Sequence, residues 1–183
     1  MSIRDNNKGV TLIEIIIVIA IMAVLSTVAG LSLYIINSAN TNKSANALKS
    51  LIDKTRNEAM AYGNATMTIS STGNGTSVVV KTASGKELCN EIIAADFLDA
   101  YMYYSTSATM TPVDISGAMN GSLTNISISF NSVGSVNSIV VDGELKDDVN
   151  ARLIEVGFKR GKHFDGAVVY PVTGKAEVFS NIE

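Results

Sequence analysis

The residues able to do chemistry are few and scattered. His163 is the only histidine, and Asp165 follows two positions later in the run KRGKHFDG. A catalytic pair of this kind needs a nucleophile or a metal beside it, and the sequence marks neither; a histidine in a loop is the simpler reading. Asp142 with Glu144, and Asp147 with Asp148, could attract a cation, but they lack calcium-loop spacing and read as solvated turns. Cys89 is the only cysteine, so there is no intrachain disulfide and no Cys/His zinc site. It reads as a small buried hydrophobe. No G-x-S-x-G, H-E-x-x-H or phosphate-loop pattern occurs. The chain reads as no enzyme, with no metal and no cofactor implied.

Two further groups could recognise a partner. Lys159, Arg160 and Lys162 form a basic cluster of the kind that contacts phosphates, which leaves nucleic acid as a lesser reading beside a charged hairpin tip. The formal net charge of −3 gives no general pull toward nucleic acid. Tyr101, Tyr103 and Tyr104 could form an adhesive patch, although at least one of them is expected in the core.

The informative charge is Glu14. It stands near the head of a long apolar run, KGVTLIEIIIVIAIMAVL, and residues 15–36 carry no charge at all. As a helix those residues would reach about 33 Å, enough for a hydrocarbon core of about 30 Å. The short polar leader ahead of the run carries Arg4 and Lys8 against Asp5, a basic flank that favours keeping it cytoplasmic. Three readings compete. The segment could be a secretory signal with a small-residue cleavage site at Thr27-Val28-Ala29 before Gly30, a plain signal anchor, or a run retained after a leader is cut off ahead of it. An acidic side chain at the centre of a membrane helix costs about 2.5–3.5 kcal/mol, less toward the ends. Neither a disposable signal nor a passive anchor gains from that cost. A helix that later packs against copies of itself could.

KGVTLIE followed by an uninterrupted apolar run resembles the class III signal of type IV prepilins and of the pseudopilins of type II secretion. The resemblance covers about the first 55 residues. It implies that a membrane-embedded prepilin peptidase cuts between Gly9 and Val10 and then methylates the new Val10 amine. Val10 stands where the family usually has Phe or Met. Glu14 falls on the family's glutamate, the fifth residue of the mature chain. Its expected partner is the Val10 amine of a neighbouring subunit, because two opposite charges that meet between packed apolar helices relieve each other's cost. The positive end of the helix dipole helps as well.

The rest of the chain fits that plan. No proline precedes Pro112, so one helix can run from about residue 11 to 62, about 78 Å long. Its first half is apolar all round. Its second half is amphipathic, with Ala45, Leu48, Ile52, Thr55, Ala59 and Tyr62 on one face and Leu51 at the edge. Gly63 and Asn64 form the stop. Gly30, with Ser26, Thr27 and Ser32 nearby, reads as a place for close helix packing or local loosening. Beyond it the period shifts toward two. Strands are expected at 65–70, 77–82, 126–130, 138–142, 152–158, 166–171 and 175–180. A second short helix is expected at 87–104 and a loop at 105–122. The fold class is therefore α+β, with a long N-terminal helix packed on an antiparallel sheet. The organisation is a leader (1–9), a transmembrane and assembly helix (10–36), its amphipathic continuation (37–63) and a β-rich head (64–183).

Residues 48–70 and the terminal run IEVGFKRGKHFDGAVVYPVTGKAEVF loosely resemble the H-type pseudopilins and related minor pilins. The resemblance implies a filament subunit, minor pilin or pseudopilin, with other pilins, prepilin peptidase and an inner-membrane platform with a cytoplasmic ATPase as partners. Its place would be the cytoplasmic membrane before assembly and an extracellular pilus or pseudopilus after it. Some minor pilins also take up DNA. The rival is a membrane-anchored or secreted surface-binding domain unrelated to filaments.

Overall fold

The computed structural model describes residues 11–72, 74–95, 98–105, 110–114, 125–146 and 153–182. The chain divides into two compact units, Met1–Ile36 and Asn37–Glu183. Helix α1, Leu12–Tyr62, contributes to both.

In the first unit the described side chains of residues 11–27 are all exposed. The hydroxyls within this apolar stretch are satisfied by the helix itself. Ser26 Oγ donates to Met22 O and Thr27 Oγ1 to Val24 O, each at 2.7 Å, which removes most of the cost of a hydroxyl in apolar surroundings. The helix continues through Gly30. Among the described residues no helix is long and apolar enough to cross a membrane. Residues 12–27 alone would reach about 24 Å as helix; the uncharged run in the sequence continues to Ile36.

The second unit begins with the amphipathic part of α1. Thr41, Ser44, Ala45, Leu48, Leu51, Ile52, Thr55 and Ala59 are buried along one stripe, the three- and four-residue spacing of a helix laid on a core. Thr55 returns its hydroxyl to Leu51 O at 2.6 Å, so it lies in the apolar stripe without an orphan donor. Tyr62, expected on this face, is 80% exposed instead. It occupies the last helical position, beside the β2–β3 turn rather than under a sheet. Gly63 ends the helix with φ +98° and its N–H on Ala59 O, a left-handed cap that favours glycine.

Eleven strands follow among the described residues: β1 (Ala65–Thr72), β2 (Gly75–Thr82), β3 (Glu87–Ala94), β4 (Asp99–Ser105), β5 (Met110–Asp114), β6 (Asn125–Phe130), β7 (Val136–Val141), β8 (Glu144–Lys146), β9 (Leu153–Arg160), β10 (His163–Tyr170) and β11 (Lys175–Ile182). They form two antiparallel sheets rather than one. The first has the order β3-β2-β1-β6-β7-β8, the second β11-β10-β9-β4-β5. In β1, Ala65, Met67 and Ile69 point inward. The alternate positions pair hydroxyls across the sheet, Thr66 with Ser129 at 2.8 Å and Thr68 with Ser127 at 2.9 Å. Residues from both sheets and from α1 share one apolar core that includes Leu48, Ile52, Met67, Ile128, Phe130, Met102, Val156 and Phe158.

The segment expected to be a second helix is instead strands β3 and β4. Leu88, Ile92, Ile93 and Leu98 fit helical spacing, but pairing of β3 with β2 and of β4 with β9 overrides it. In β4, Ala100 and Met102 are buried while Tyr101 between them is half-buried. The expected loop at 105–122 contains β5, which pairs with β4; residues 106–109 and 115–124 lie outside the described residues.

Ile52 is fully buried at the centre of the helix stripe. Ile52→Ala should destabilise the head by about 2–5 kcal/mol, measured as a fall in the denaturation midpoint. Asn57→Ala, on the exposed face, should stay within about 0.5 kcal/mol.

Candidate functional site

The candidate site begins where α1 begins. Thr11 is the N-cap. Its Oγ1 accepts the Glu14 N–H at 3.3 Å, and the Glu14 Oε2 accepts the Thr11 N–H at 3.5 Å. This reciprocal arrangement is a capping box, which satisfies two donors that helix geometry leaves without partners. The spacing Thr-x-x-Glu was its signal in the sequence. Glu14 thus has a use within its own helix, and the cap does not exhaust it. A carboxylate has about four acceptor positions, and Oε1 is free of the cap. Gly9 and Val10 lie outside the described residues.

The basic cluster is split between a strand and a turn. Lys159 and Arg160 end β9, and Lys162 sits in the two-residue turn that Gly161 opens with φ +62°. Lys159 is half-buried; Arg160 and Lys162 are exposed. In register, Lys159 lies between Asp99 on β4 and Phe164 on β10, so one of the three cations is drawn into the sheet surface.

His163 is not a loop residue. It opens β10, is 4% exposed, and shares the inward face with Asp165, Ala167 and Val169. Asp165 is 1% exposed and accepts a hydrogen bond from the Thr41 hydroxyl of α1. Thr41 and Ser44, both buried, make the facing stretch of helix polar where the strand is polar. Asp165 therefore belongs to the contact between helix and sheet, and His163 is buried two positions before it on the same strand.

The sequence reading missed a second polar tie at the other end of that contact. Arg56 Nε donates to Gly134 O at 3.3 Å and to Thr173 O at 3.0 Å. Those carbonyls belong to the β6–β7 and β10–β11 turns, one from each sheet. Ser135 Oγ donates to Val172 O at 2.6 Å, and Val136 N–H to Pro171 O at 2.8 Å. The turns approach so closely that a Cβ on Gly174 would lie 1.8 Å from Gly134 O. Both glycines also have positive φ, which favours glycine at each, and at Gly174 the Gly134 carbonyl leaves no room for a Cβ. Each turn was legible alone from its glycine; their meeting under Arg56 is non-local and left no sequence signal.

The remaining candidates are structural. Asp142 and Gly143 both have positive φ and form the β7–β8 turn, a primed hairpin turn. The Asp142 carboxylate accepts the Asn125 N–H at 2.8 Å. Asp147 and Asp148 lie outside the described residues. Cys89 is half-buried on edge strand β3 rather than buried. Tyr101 is half-buried, and the side chains of Tyr103 and Tyr104 lie outside the description. Among the described residues no three His, Cys, Asp or Glu side chains gather as metal ligands would.

Residues 4–30 match the prokaryotic N-terminal methylation motif, the class III signal of type IV pilins and pseudopilins. The match covers residues 4–10 ahead of the helix, the capping box and the uncharged run as far as residue 30. No curated protein and no solved structure matches the chain.

Two predictions follow from this geometry. Thr41→Val removes a hydroxyl donor to the buried Asp165 carboxylate and should cost about 1–3 kcal/mol, read by denaturation; Thr41→Ser should retain most of the stability. On the surface, the hydrogen bond and charge of Lys175 hold the Glu177 carboxylate below the ordinary glutamate range. A depressed folded value means that any stabilisation is present above the unfolded value and fades as pH falls through the folded one. An NMR titration of Glu177 should show that depressed midpoint, and Lys175→Ala should return it to the ordinary range.

Proposed function

We propose that this chain, with its class III signal at residues 4–30, is a structural subunit of a type IV pilus-like filament, a pilin or pseudopilin. Prepilin peptidase cuts it between Gly9 and Val10 and methylates Val10. Residues 10–36 hold the subunit in the cytoplasmic membrane until it is drawn into the filament. The uncharged run to Ile36 is long enough for that at about 1.5 Å per residue. Other pilins are its lasting partners, an inner-membrane platform and its cytoplasmic ATPase supply the work, and the head is carried to the cell exterior.

The observation that carries this reading is the match of the signal together with the placement of Glu14 at the helix start. After cleavage the chain would open with an ammonium one residue ahead of the cap. Glu14 can cap its own helix through Oε2 and still accept a neighbouring subunit's amine. Pairing of those two charges across packed helices would set the stagger between subunits. The three cations at the β9–β10 tip add nothing specific to this role, and DNA is not part of the proposal.

Mass analysis of the mature protein should find methylated Val10 at its N-terminus; a start at Gly30 or an intact Met1 would overturn the reading. Glu14→Gln separates the two uses of the side chain, because glutamine can serve in a capping box but carries no charge. Processing should be normal and incorporation into sheared fibres should fall about ten-fold or more. Thr11→Ala keeps the charge, weakens the cap by about 0.5–2 kcal/mol and should reduce incorporation less. Normal incorporation of Glu14→Gln would remove the inter-subunit charge pair.

A further inference from the structure

Tyr62 leaves the buried stripe at the end of α1 and stands 80% exposed. From it the chain reads Tyr62-Gly63-Asn64-Ala65-Thr66. Asn-Ala-Thr is the Asn-x-Ser/Thr pattern in which the asparagine amide accepts a sugar. The same pattern occurs at Asn42, Asn74, Asn120 and Asn125, so the pattern alone selects nothing. Only Asn64 has an aromatic residue two positions ahead of it. Asn64 is itself exposed, and Gly63 between them turns the chain out of the helix with φ +98°. Two residues keep the Asn64 and Tyr62 backbones within about 7 Å of each other.

The surroundings have the chemistry of a sugar site. Tyr62 borders a cavity of about 520 Å³, within the range of about 300–1,000 Å³ usual for small ligands. Glu58, one helical turn earlier, lines it from the helix, and Thr82, Ser84, Lys86 and Leu88 line it from the β2–β3 hairpin. The tyrosine ring and Leu88 are apolar; a carboxylate, two hydroxyls and an ammonium stand around them. A pyranose is divided in the same way, with C–H groups on its ring faces and hydroxyls round its rim. C–H groups pack on the electron-rich face of an aromatic ring, and rim hydroxyls donate to a carboxylate and accept from an ammonium. The hairpin wall is held in place. The Thr82 and Ser84 hydroxyls share a hydrogen bond of 2.9 Å, the Thr82 N–H donates to Lys86 O at 3.0 Å, and the Gly85 N–H to Thr82 O at 2.9 Å. Ala65 pairs with Thr82, so Asn64 stands at the end of β1 opposite the start of that turn. Residues 58–66 and 82–88 are all among the described residues.

We infer that Asn64 carries an N-linked sugar whose first ring lies on Tyr62 and occupies this cavity. The donor is a glycosyl diphosphate, lipid-linked or nucleotide-linked. Asn64 Nδ2 forms the bond to C1 of the sugar, and the bond from C1 to the diphosphate oxygen breaks. The diphosphate leaves with the electron pair, and the amide gives up one proton. Thr66 supplies the hydroxyl that the transferase reads two positions on. In the folded head Thr66 lies in β1, between β2 and β6, with its hydroxyl 2.8 Å from that of Ser129. Transfer therefore precedes closure of the first sheet. The inference goes beyond the filament reading and requires only that the chain meet an activated sugar.

The test uses the full chain purified from the cells that make it. Its intact mass should exceed that of the polypeptide by at least one sugar residue, and fragmentation that preserves side-chain links should place the excess on Asn64. Asn64→Gln and Thr66→Val should each remove it, and Thr66→Ser should keep part of it. Sugar already present on the precursor that retains Met1 supports the inference with a nucleotide donor; sugar on the cleaved chain alone supports it with a lipid-linked one. The seat on Tyr62 is read by denaturation. The glycosylated head should unfold at a higher midpoint than Asn64→Gln, and in a Tyr62→Ala background the two midpoints should coincide. A difference that survives Tyr62→Ala would overturn the seat on the tyrosine. An unmodified Asn64, or sugar at another asparagine only, would overturn the inference as a whole. Methylation of Val10 is read from the same spectra, so a methylated chain without sugar removes this inference alone and leaves the filament reading standing.

Discussion

The head depends on the burial of one helix face by two sheets. Neither sheet would have a complete core without the stripe from Leu48 to Ala59, and the stripe cannot be covered by either sheet alone. Apolar burial supplies the drive, at about 1.5–3 kcal/mol for each large side chain taken from water, but it is non-directional. A stripe of leucine, isoleucine and alanine would tolerate sliding or rotation of the sheets along it. Direction comes from the two polar ties, Thr41 with Asp165 and Arg56 with the carbonyls of Gly134 and Thr173. The first tie holds Asp165 within β10 and the second holds Thr173 in the turn that follows it, the same order as Thr41 and Arg56 along the helix, so β10 runs beside the helix in the same direction. Arg56 also holds a turn of the other sheet, so one guanidinium fixes the relative position of all three layers.

A different economy governs the start of α1. The apolar run contains one carboxylate and a few hydroxyls, and the described ones are satisfied locally. Ser26 and Thr27 return their hydroxyls to carbonyls of the preceding turn. Glu14 and Thr11 complete each other. A polar group with such a partner can sit beside lipid or beside another helix at much lower cost than a bare one. The cap therefore makes Glu14 tolerable on its own helix and leaves Oε1 for the neighbouring amine proposed above. A residue with no local use would burden the isolated subunit; a residue fully used locally would offer nothing to an assembly.

Much of the head was legible because its strands alternate. In β1, β6 and β7 apolar and polar residues take turns, and glycine at the β1–β2, β7–β8 and β9–β10 turns marks where the chain reverses. The errors have physical causes. Strand β3 lies at a sheet edge, and its described burial is confined to its last two residues, so it has no period of two to read. Its isoleucines, taken with Leu88 and Leu98, imitate a helix. His163 looked like a loop residue because polar side chains are rarely buried; the helix partner of Asp165 beside it, Thr41, is over a hundred positions away. At the N-terminus the motif was clear and the cap was missed, although Thr-x-x-Glu was in plain view.

The same distinction between local and distant information explains why the Arg56 clasp is rigid. Gly174 is required twice, once by positive φ and once by the approach of the Gly134 carbonyl; Gly134 has positive φ and lies against the Met60 and Arg56 side chains. A turn that needed glycine only for its own conformation could still move as a unit against its surroundings. Here Ser135 Oγ and the Val136 N–H both donate to carbonyls of the other turn, with a guanidinium bonded to both sides, so neither turn can shift without breaking hydrogen bonds to the other.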